Sequence, residues 1–223
     1  MTTARAQLVA SAFELFATQG YDATTVDDIA ARAGLGRTTF FRTFRGKDEV
    51  VFPEHGRILA GMQERLDSGV GDPVLRAREA ALFVLRHFLA EGELAVSRYR
   101  LTSTVPALRD RELASMSLYQ RALGRFFLAE VNADPLTADL LGSAWVTVHN
   151  HVLRSWFAGR TTTPEQDLTV GLEDVLAALR RREVVQESIV VFRTSRPLDD
   201  VLPGLRTLLG EPDRSAGSPG ERG

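Results

Sequence analysis

Residues 24–47 read TTVDDIAARAGLGRTTFFRTFRGK. Thr25 stands where an N-terminal cap accepts a hydrogen bond from an early backbone N–H. Asp28, three residues on, is a shorter version of the reciprocal Glu or Gln. Val26, Ile29, Ala30 and Ala33 recur at helical spacing and make a narrow apolar face. Gly34 then stops the helix, because a residue without Cβ takes the left-handed conformation of a C-terminal cap at no steric cost. A second short helix follows from about Arg37 to Thr43, with Phe40, Phe41 and Phe44 set to fill the angle between the two. The spacing is that of a helix-turn-helix.

Upstream, Leu8, Ala12, Leu15 and Phe16 share one helical stripe and Gly20 ends the run, so a preceding helix completes a three-helix module. The chain as a whole has 27 basic and 29 acidic residues, a net charge of −2 with neutral histidines. That excludes a general polyanion binder. Charge is arranged locally instead: Arg37, Arg42, Arg45 and Lys47 follow one another with no acid between them. One compact positive edge is therefore available to phosphates. Arg5, Arg32 and Arg45 read as solvated surface charges, and the three phenylalanines as core.

With these residues in view, the segment resembles the N-terminal domain of the tetracycline-repressor (TetR) family of one-component bacterial regulators. The resemblance spans roughly residues 8–52. It is carried by the Thr25 cap, Ile29-Ala30, Ala33-Gly34-Leu35, Thr39-Phe40-Phe41, Phe44 and the Lys47-Asp48-Glu49-Val50 entry into a fourth helix. It implies that Thr25 and Lys47 hold phosphates while Arg37, Thr38, Thr39, Arg42 and Thr43 face the major groove. The chemistry suits that role, since arginine forks onto guanine and threonine touches the thymine methyl. The chain departs from the family pattern at Gly36, where a Ser or Thr usually caps the recognition helix. That change weakens the cap by roughly 0.3 kcal/mol. It departs again at Phe41, where the family has Tyr, and at Thr43, where it has an aromatic or His. A small helical bundle without a DNA role is the bland alternative, and the combined pattern outweighs it.

A chain of 223 residues with 44% hydrophobic content is long for one such module, so a second domain is expected. No apolar run reaches the ~18 residues of a bilayer span, and the N-terminus lacks a basic-then-apolar signal pattern, so a cytoplasmic protein without membrane contact is expected. With no cysteine there is neither a disulfide frame nor a thiol switch nor a Cys-type zinc site.

Beyond Asp48 the pattern stays helical. A fourth helix is expected from about Lys47 to Leu66, bent near Pro53, and the loop Ser68 to Pro73 closes it. A fifth rises through Ala80, Phe83, Val84, His87 and Phe88, weakens at Gly92 and resumes to about Thr102. Pro106 opens a short sixth, and Met116, Tyr119, Leu123, Phe126 and Phe127 stripe a seventh ending near Asn132. Asp134-Pro135 and Thr163-Pro164 each write a helix start, with Gln166 completing a box with Thr163.

Between those two starts, Leu140, Leu141, Ala144, Trp145, Val148, His149, Val152, Leu153, Trp156 and Phe157 cover more than half of the helix circumference, a surface that needs two partners. The next helix carries Leu168, Leu172, Val175, Leu176 and Leu179, with Gly171 allowing close approach. Together they have the makings of a four-helix contact across a two-fold axis. The resemblance agrees, because family members typically dimerise through their eighth and ninth helices; the alternative is that the C-terminal segment of the same chain covers the second face. That segment reads as a short strand at Val184–Arg193 and an amphipathic helix at Leu198–Leu209. The tail after Gly210 has nothing to bury and reads as disordered.

The fold class is thus all-α: a three-helix helix-turn-helix domain at residues 1–50, a helical ligand-binding and dimerisation domain at 51–209 with a short C-terminal strand, and a disordered tail at 210–223. The resemblance implies a homodimeric repressor, released from a palindromic double-stranded DNA operator by a small-molecule effector. Candidate effector-binding residues are Met62, Phe83, His87, Phe88, Arg98, Tyr99, Met116, Tyr119, Trp145, His149 and Asn150, most of them apolar. They suit a small hydrophobic or aromatic effector. His87, Arg98, Tyr99 and His149 are the candidates for its polar groups, since burying them is otherwise costly. The runner-up is a regulator of the same fold that needs no small molecule.

Enzyme signatures are missing. Gly69-Val70-Gly71 is followed by Val74 where a dinucleotide loop has its third glycine, and there is no Gly-Lys-Ser/Thr loop or Gly-x-Ser-x-Gly elbow. His149 and His151 point apart on one helix, and His87 with Glu91 lacks a third ligand. No cofactor or metal is expected.

Overall fold

The computed structural model describes residues 3–52, 55–69 and 71–183. Ten helices follow one another among them, with no strand: α1 Ala4–Gln19, α2 Val26–Arg32, α3 Arg37–Thr43, α4 Lys47–Val51, α5 His55–Leu66, α6 Pro73–Glu91, α7 Glu93–Thr104, α8 Pro106–Glu130, α9 Pro135–Phe157 and α10 Pro164–Glu183. The expected strand at Val184–Arg193, the helix at Leu198–Leu209 and the tail from residue 210 lie outside the described residues.

Helix α2 begins with a complete reciprocal cap. The Asp28 N–H donates to Thr25 Oγ1 at 3.1 Å, and the Thr25 N–H donates to Asp28 Oδ2 at 2.9 Å. Asp28 thus serves as fully as the longer Glu or Gln, and the Thr25 hydroxyl, which donates to Asp28 Oδ2 at 2.6 Å, together with the Thr25 N–H holds its carboxyl below the usual carboxylate range. At the other end Gly34 sits at φ +67°, which lets Leu35 N–H turn back to Ala30 O at 2.9 Å. Helix α3 starts at Gly36 with no side-chain cap. Leu8, Ala12, Phe16, Ile29, Phe40, Phe44, Val50 and Val51 bury one core, joined by Leu108 from α8. The expectation that Phe41 belongs to it is corrected: Phe41 is 45% exposed. It lies edge-on to Phe40 on the outer side of α3, under the Arg37 guanidinium.

Two further expectations change. The helix expected from Lys47 to Leu66 is two pieces, since α4 ends at Val51, Phe52 has φ −120° and ψ 59°, and α5 starts at His55. Pro53 itself lies outside the described residues; its effect on the residue before it disfavours the helical region there. Conversely, the two helices expected after Pro106 are one, α8. Residues 107–115 contain neither Gly nor Pro, so nothing interrupts the ladder.

The second core is built by α5, α6, α8, α9 and α10 around Met62, Leu66, Leu85, Phe127, Trp145, Leu168 and Leu172. Helices α8 and α9 approach each other at Gly124 and Gly142. A Cβ on Gly142 would stand 2.7 Å from Gln120 O and 2.8 Å from Gly124 N. Gly171 does the same for α9 and α10, where a Cβ would meet Val148 Cγ1 at 2.7 Å. Asp134 caps α9 through the Leu136 and Thr137 N–H groups, as its sequence indicates. At α10 the expected box partner Gln166 is replaced by Asp167, whose carboxylate accepts from the hydroxyls of both Thr161 and Thr163. Leu136 and Leu140 on α9 and Val170 on α10 remain exposed. Both cores belong to one compact unit, Met1–Arg180.

Candidate DNA interface and effector cavity

The outer face of α3 presents Arg37, Thr38, Phe41 and Arg42 to solvent, with Thr39 and Thr43 half-buried behind them. Thr43 Oγ1 donates to Thr39 O at 2.9 Å, so its methyl rather than its hydroxyl is left for a partner. Arg37 is held by Asp27 of α2 at 2.6 Å, both side chains being 63% exposed. An ion pair so wet contributes roughly 0–1 kcal/mol, so a guanine or phosphate exchanges for it at little cost. Thr38 and Arg42 have no side-chain partner among the described residues.

Two residues expected at phosphates already have structural work. Thr25 is committed to its capping box. Lys47 Nζ donates to Tyr21 O at 2.6 Å and Thr24 O at 2.9 Å, above the Tyr21 ring. An ammonium has three protons, so one remains directed outward. Lys47 therefore ties the α1–α2 turn to the start of α4 while keeping a donor for an anion.

Below this head lies a cavity of about 90 Å³ between α5, α6, α7, α8 and α9. Of the candidate residues, Met62, Phe88, Arg98, Tyr99, Met116, Tyr119, Trp145, His149 and Asn150 line it. Phe83 and His87 do not. His87 sits farther along α6 with its Nε2 3.9 Å from the Glu91 carboxylate. Sequence reasoning missed His55, Thr102, Glu112 and Ser115, which also face the cavity. Their spacing gives no sign of it, because single polar residues on helix faces are usually at the surface.

The walls are electrostatically unusual. Burial, helped by the nearby Arg98 and Arg111 charges, lowers the His55 imidazole to about 4. Burial alone lowers His149 to about 4, against a small upward pull from its bond with Asn150. Both rings are therefore neutral near pH 7. Burial raises the Glu112 carboxyl, with Arg98 opposing, and pushes the Tyr119 phenol above its ordinary range, helped by Glu112. Tyr119 Oη stands 3.4 Å from His55 Nδ1. Among the described residues, His149 Nε2 and Trp145 Nε1 are buried without a hydrogen-bond partner. Such orphaned groups cost free energy until something polar meets them.

Arg98 joins cavity and head. Its Nε donates to Val51 O, the carbonyl that ends α4, at 2.7 Å, and its two terminal nitrogens fork onto the Glu91 carboxylate. A second link is the Arg111–Asp48 ion pair between α8 and α4. Among the described residues no group of three His, Asp or Glu side chains could hold a metal ion, and no helix is long and apolar enough to cross a membrane.

Comparison with known proteins agrees with this geometry. Residues 8–52 match the pattern of bacterial regulatory proteins of the tetR family. Over 190 residues the chain is 29% identical to the HTH-type transcriptional regulator TcmR of Streptomyces glaucescens, covering 79% of this chain and 82% of that one. A putative mycofactocin biosynthesis transcriptional regulator, MftR of Mycobacterium tuberculosis (strain ATCC 25618 / H37Rv), is 33% identical over 119 residues, 53% of this chain and 59% of that one. In fold it is similar to SmeT in complex with triclosan, with a TM-score of 0.62 at 18% identity, over 88% of this chain and 99% of that one. Residues 8–52 therefore form a DNA-reading head of the tetR type, and over most of its length the chain is similar to a DNA-binding transcriptional regulator rather than to an enzyme.

Proposed function

We propose that the protein is a cytoplasmic repressor that binds a palindromic operator as a homodimer and is released by a small hydrophobic or aromatic effector. Residues 1–50 are the reading head, with Arg37, Thr38, Thr39, Arg42 and Thr43 toward the major groove and Thr25 and Lys47 toward phosphates. Residues 51–209 hold the effector and join the two copies, through the exposed Leu136, Leu140 and Val170 faces of α9 and α10. A two-fold dimer of this kind sets two recognition helices about 34–36 Å apart, one turn of duplex.

The observation that carries effector control is the mostly apolar cavity whose lining residues His149 and Trp145 each keep a buried ring nitrogen unpaired among the described residues. A regulator without a small molecule gains nothing from that void or from leaving those two nitrogens unpaired. A hydrophobic molecule with one hydrogen-bonding group satisfies them and fills the void. The complex of SmeT with triclosan shows that the fold accommodates such a molecule in another protein.

The test is in two stages. Genomic fragments retained by the protein should contain an inverted repeat, and sedimentation should give twice the mass of one chain. Compounds that raise the melting temperature should then dissociate the labelled repeat in an anisotropy assay. Persistent binding to the repeat with every stabilising compound would assign control to something other than the cavity.

A further inference from the structure

Tyr99 of α7 and Phe157 of α9 stack ring on ring, 4.9 Å apart and 23° from parallel. On one side they line the cavity. On the other they floor a surface groove of about 230 Å³ whose remaining charged lining is Arg100, Arg154, Arg160 and the imidazole of His151. All four of these side chains are exposed, and no carboxylate lines the groove.

The three arginines form no ion pair among the described residues and are brought to one groove from two helices and the turn after α9. Cations near the end of α9 are favoured by the helix dipole, which accounts for Arg154 and Arg160. It does not account for Arg100, brought from α7 to the same rim, nor for an aromatic floor shared with an interior cavity. Guanidiniums gathered without a counter-charge are an anion site by chemistry. Tyr99 and Phe157 are the two residues that line both that site and the chamber.

We propose that the effector is an amphiphile: its apolar body enters the cavity between Tyr99 and Phe157, and its anionic head, a carboxylate or a phosphate, rests on Arg100, Arg154 and Arg160. This rests on the reading of the cavity as the effector site and adds the chemistry of the head group. It also gives the small chamber a way to take a longer molecule, because parting the two rings opens it into the groove.

Calorimetry on the full-length protein with 2-naphthol, 2-naphthoate and 2-naphthyl phosphate tests it. Both anions, or one of them, should bind about tenfold or more tightly than the neutral naphthol at low salt, the difference shrinking as salt rises. Preference for the phosphate over the carboxylate assigns a phosphorylated head, and the reverse assigns an organic acid. In R100A/R154A/R160A the preference should vanish, leaving the three probes alike, while the dimer mass stays unchanged. Equal binding of all three probes to the unaltered protein overturns the amphiphile and leaves the effector cavity standing. Loss of the dimer in the triple variant assigns the arginines to contact between copies and overturns it as well. Silence from all three probes sinks both readings.

Discussion

Replacing Arg98 by Met removes a guanidinium that serves two partners and leaves both stranded. In the Arg98–Glu91 pair the side chains are 8% and 16% exposed, so neither charge is well solvated. Taking away one partner of a buried pair costs about 3–5 kcal/mol, because the remaining charge stays buried. The Val51 carbonyl, at the end of a five-residue helix, also loses its donor. An unsatisfied buried carbonyl accounts for about 1–3 kcal/mol, and the two losses overlap, so R98M should lower stability by about 4 kcal/mol. The double variant R98M/E91L removes the stranded carboxylate too and should recover everything except the carbonyl part, ending more stable than R98M alone. Urea unfolding at fixed protein concentration measures the order, and amide hydrogen exchange locates it. Exchange should quicken in Lys47–Val51 more than in α9 or α10, because only α4 is held by that bond. An R98M protein within about 1 kcal/mol of the parent, or a double variant less stable than R98M, would refute the claim that Arg98 is the strut between cavity and head.

Other outcomes follow from the same geometry. Gly142→Ala should destabilise despite a helix-propensity gain of up to about 1 kcal/mol, since its Cβ meets backbone atoms of α8 at 2.7 and 2.8 Å and the helices must part at a cost of about 1–3 kcal/mol or more. Gly56→Ala, whose Cβ meets nothing within 4 Å, is the thermal-melt control and should be neutral or stabilising. Stability should fall as pH drops from about 6.5 to about 4: the unfolded chain protonates its histidines near the upper value, while the folded His55 and His149 wait until the lower. The unfolded state therefore binds more protons in that window, and each ring contributes a loss of up to roughly 3 kcal/mol, with Glu112, raised by burial, opposing at the acid end. Unfolding titrations on the His149→Gln variant should show about half of that slope, and an unchanged slope would place the titration elsewhere. In gel shifts Arg42→Ala should narrow the gap between operator and scrambled duplex by about 1–3 kcal/mol, whereas Lys47→Met should weaken both alike and lower the salt slope by about 1.

Signals that act over a few residues were readable in the chain itself. Thr25 with Asp28, Asp134 before Pro135, and Gly34 as a stop all stand where the sequence puts them, because caps and left-handed glycines depend on neighbours within one turn. What needed the fold were choices between equal local options. Phe40, Phe41 and Phe44 carry the same hydrophobicity, and only the position of α1 against α2 and α3 decides that Phe41 faces out. Likewise Met116, Tyr119 and Trp145 read as core by periodicity, which reports burial but not the voids that remain between buried groups. Lys47 reaching the Tyr21 carbonyl and Arg98 reaching Val51 are bonds across 26 and 47 residues. Their charge suggested phosphate and ligand, and their geometry adds a structural tie to each.

Cavity size connects these parts. Sites for drug-sized molecules have about 300–1,000 Å³, and the chamber here has about 90 Å³, so an effector of that size cannot enter without moving a wall. The walls are not equivalent. Helices α8 and α9 are locked at Gly124 and Gly142, where backbone meets backbone, and α9 carries part of the face assigned to the dimer. Helices α5 and α7 are each tied to the head: α5 is the next helix after α4, and α7 holds the end of α4 through Arg98. On the proposed reading of an effector-controlled dimer, expansion displaces α4 relative to the dimer core, and the recognition helices move with it. Reversing a 99:1 preference for the DNA-binding arrangement takes about 5.5 kcal/mol of differential affinity. A molecule that fills the enlarged chamber and satisfies His149 and Trp145 only when the wall has moved has a source for that difference; one that fits the compact chamber equally well binds and releases nothing.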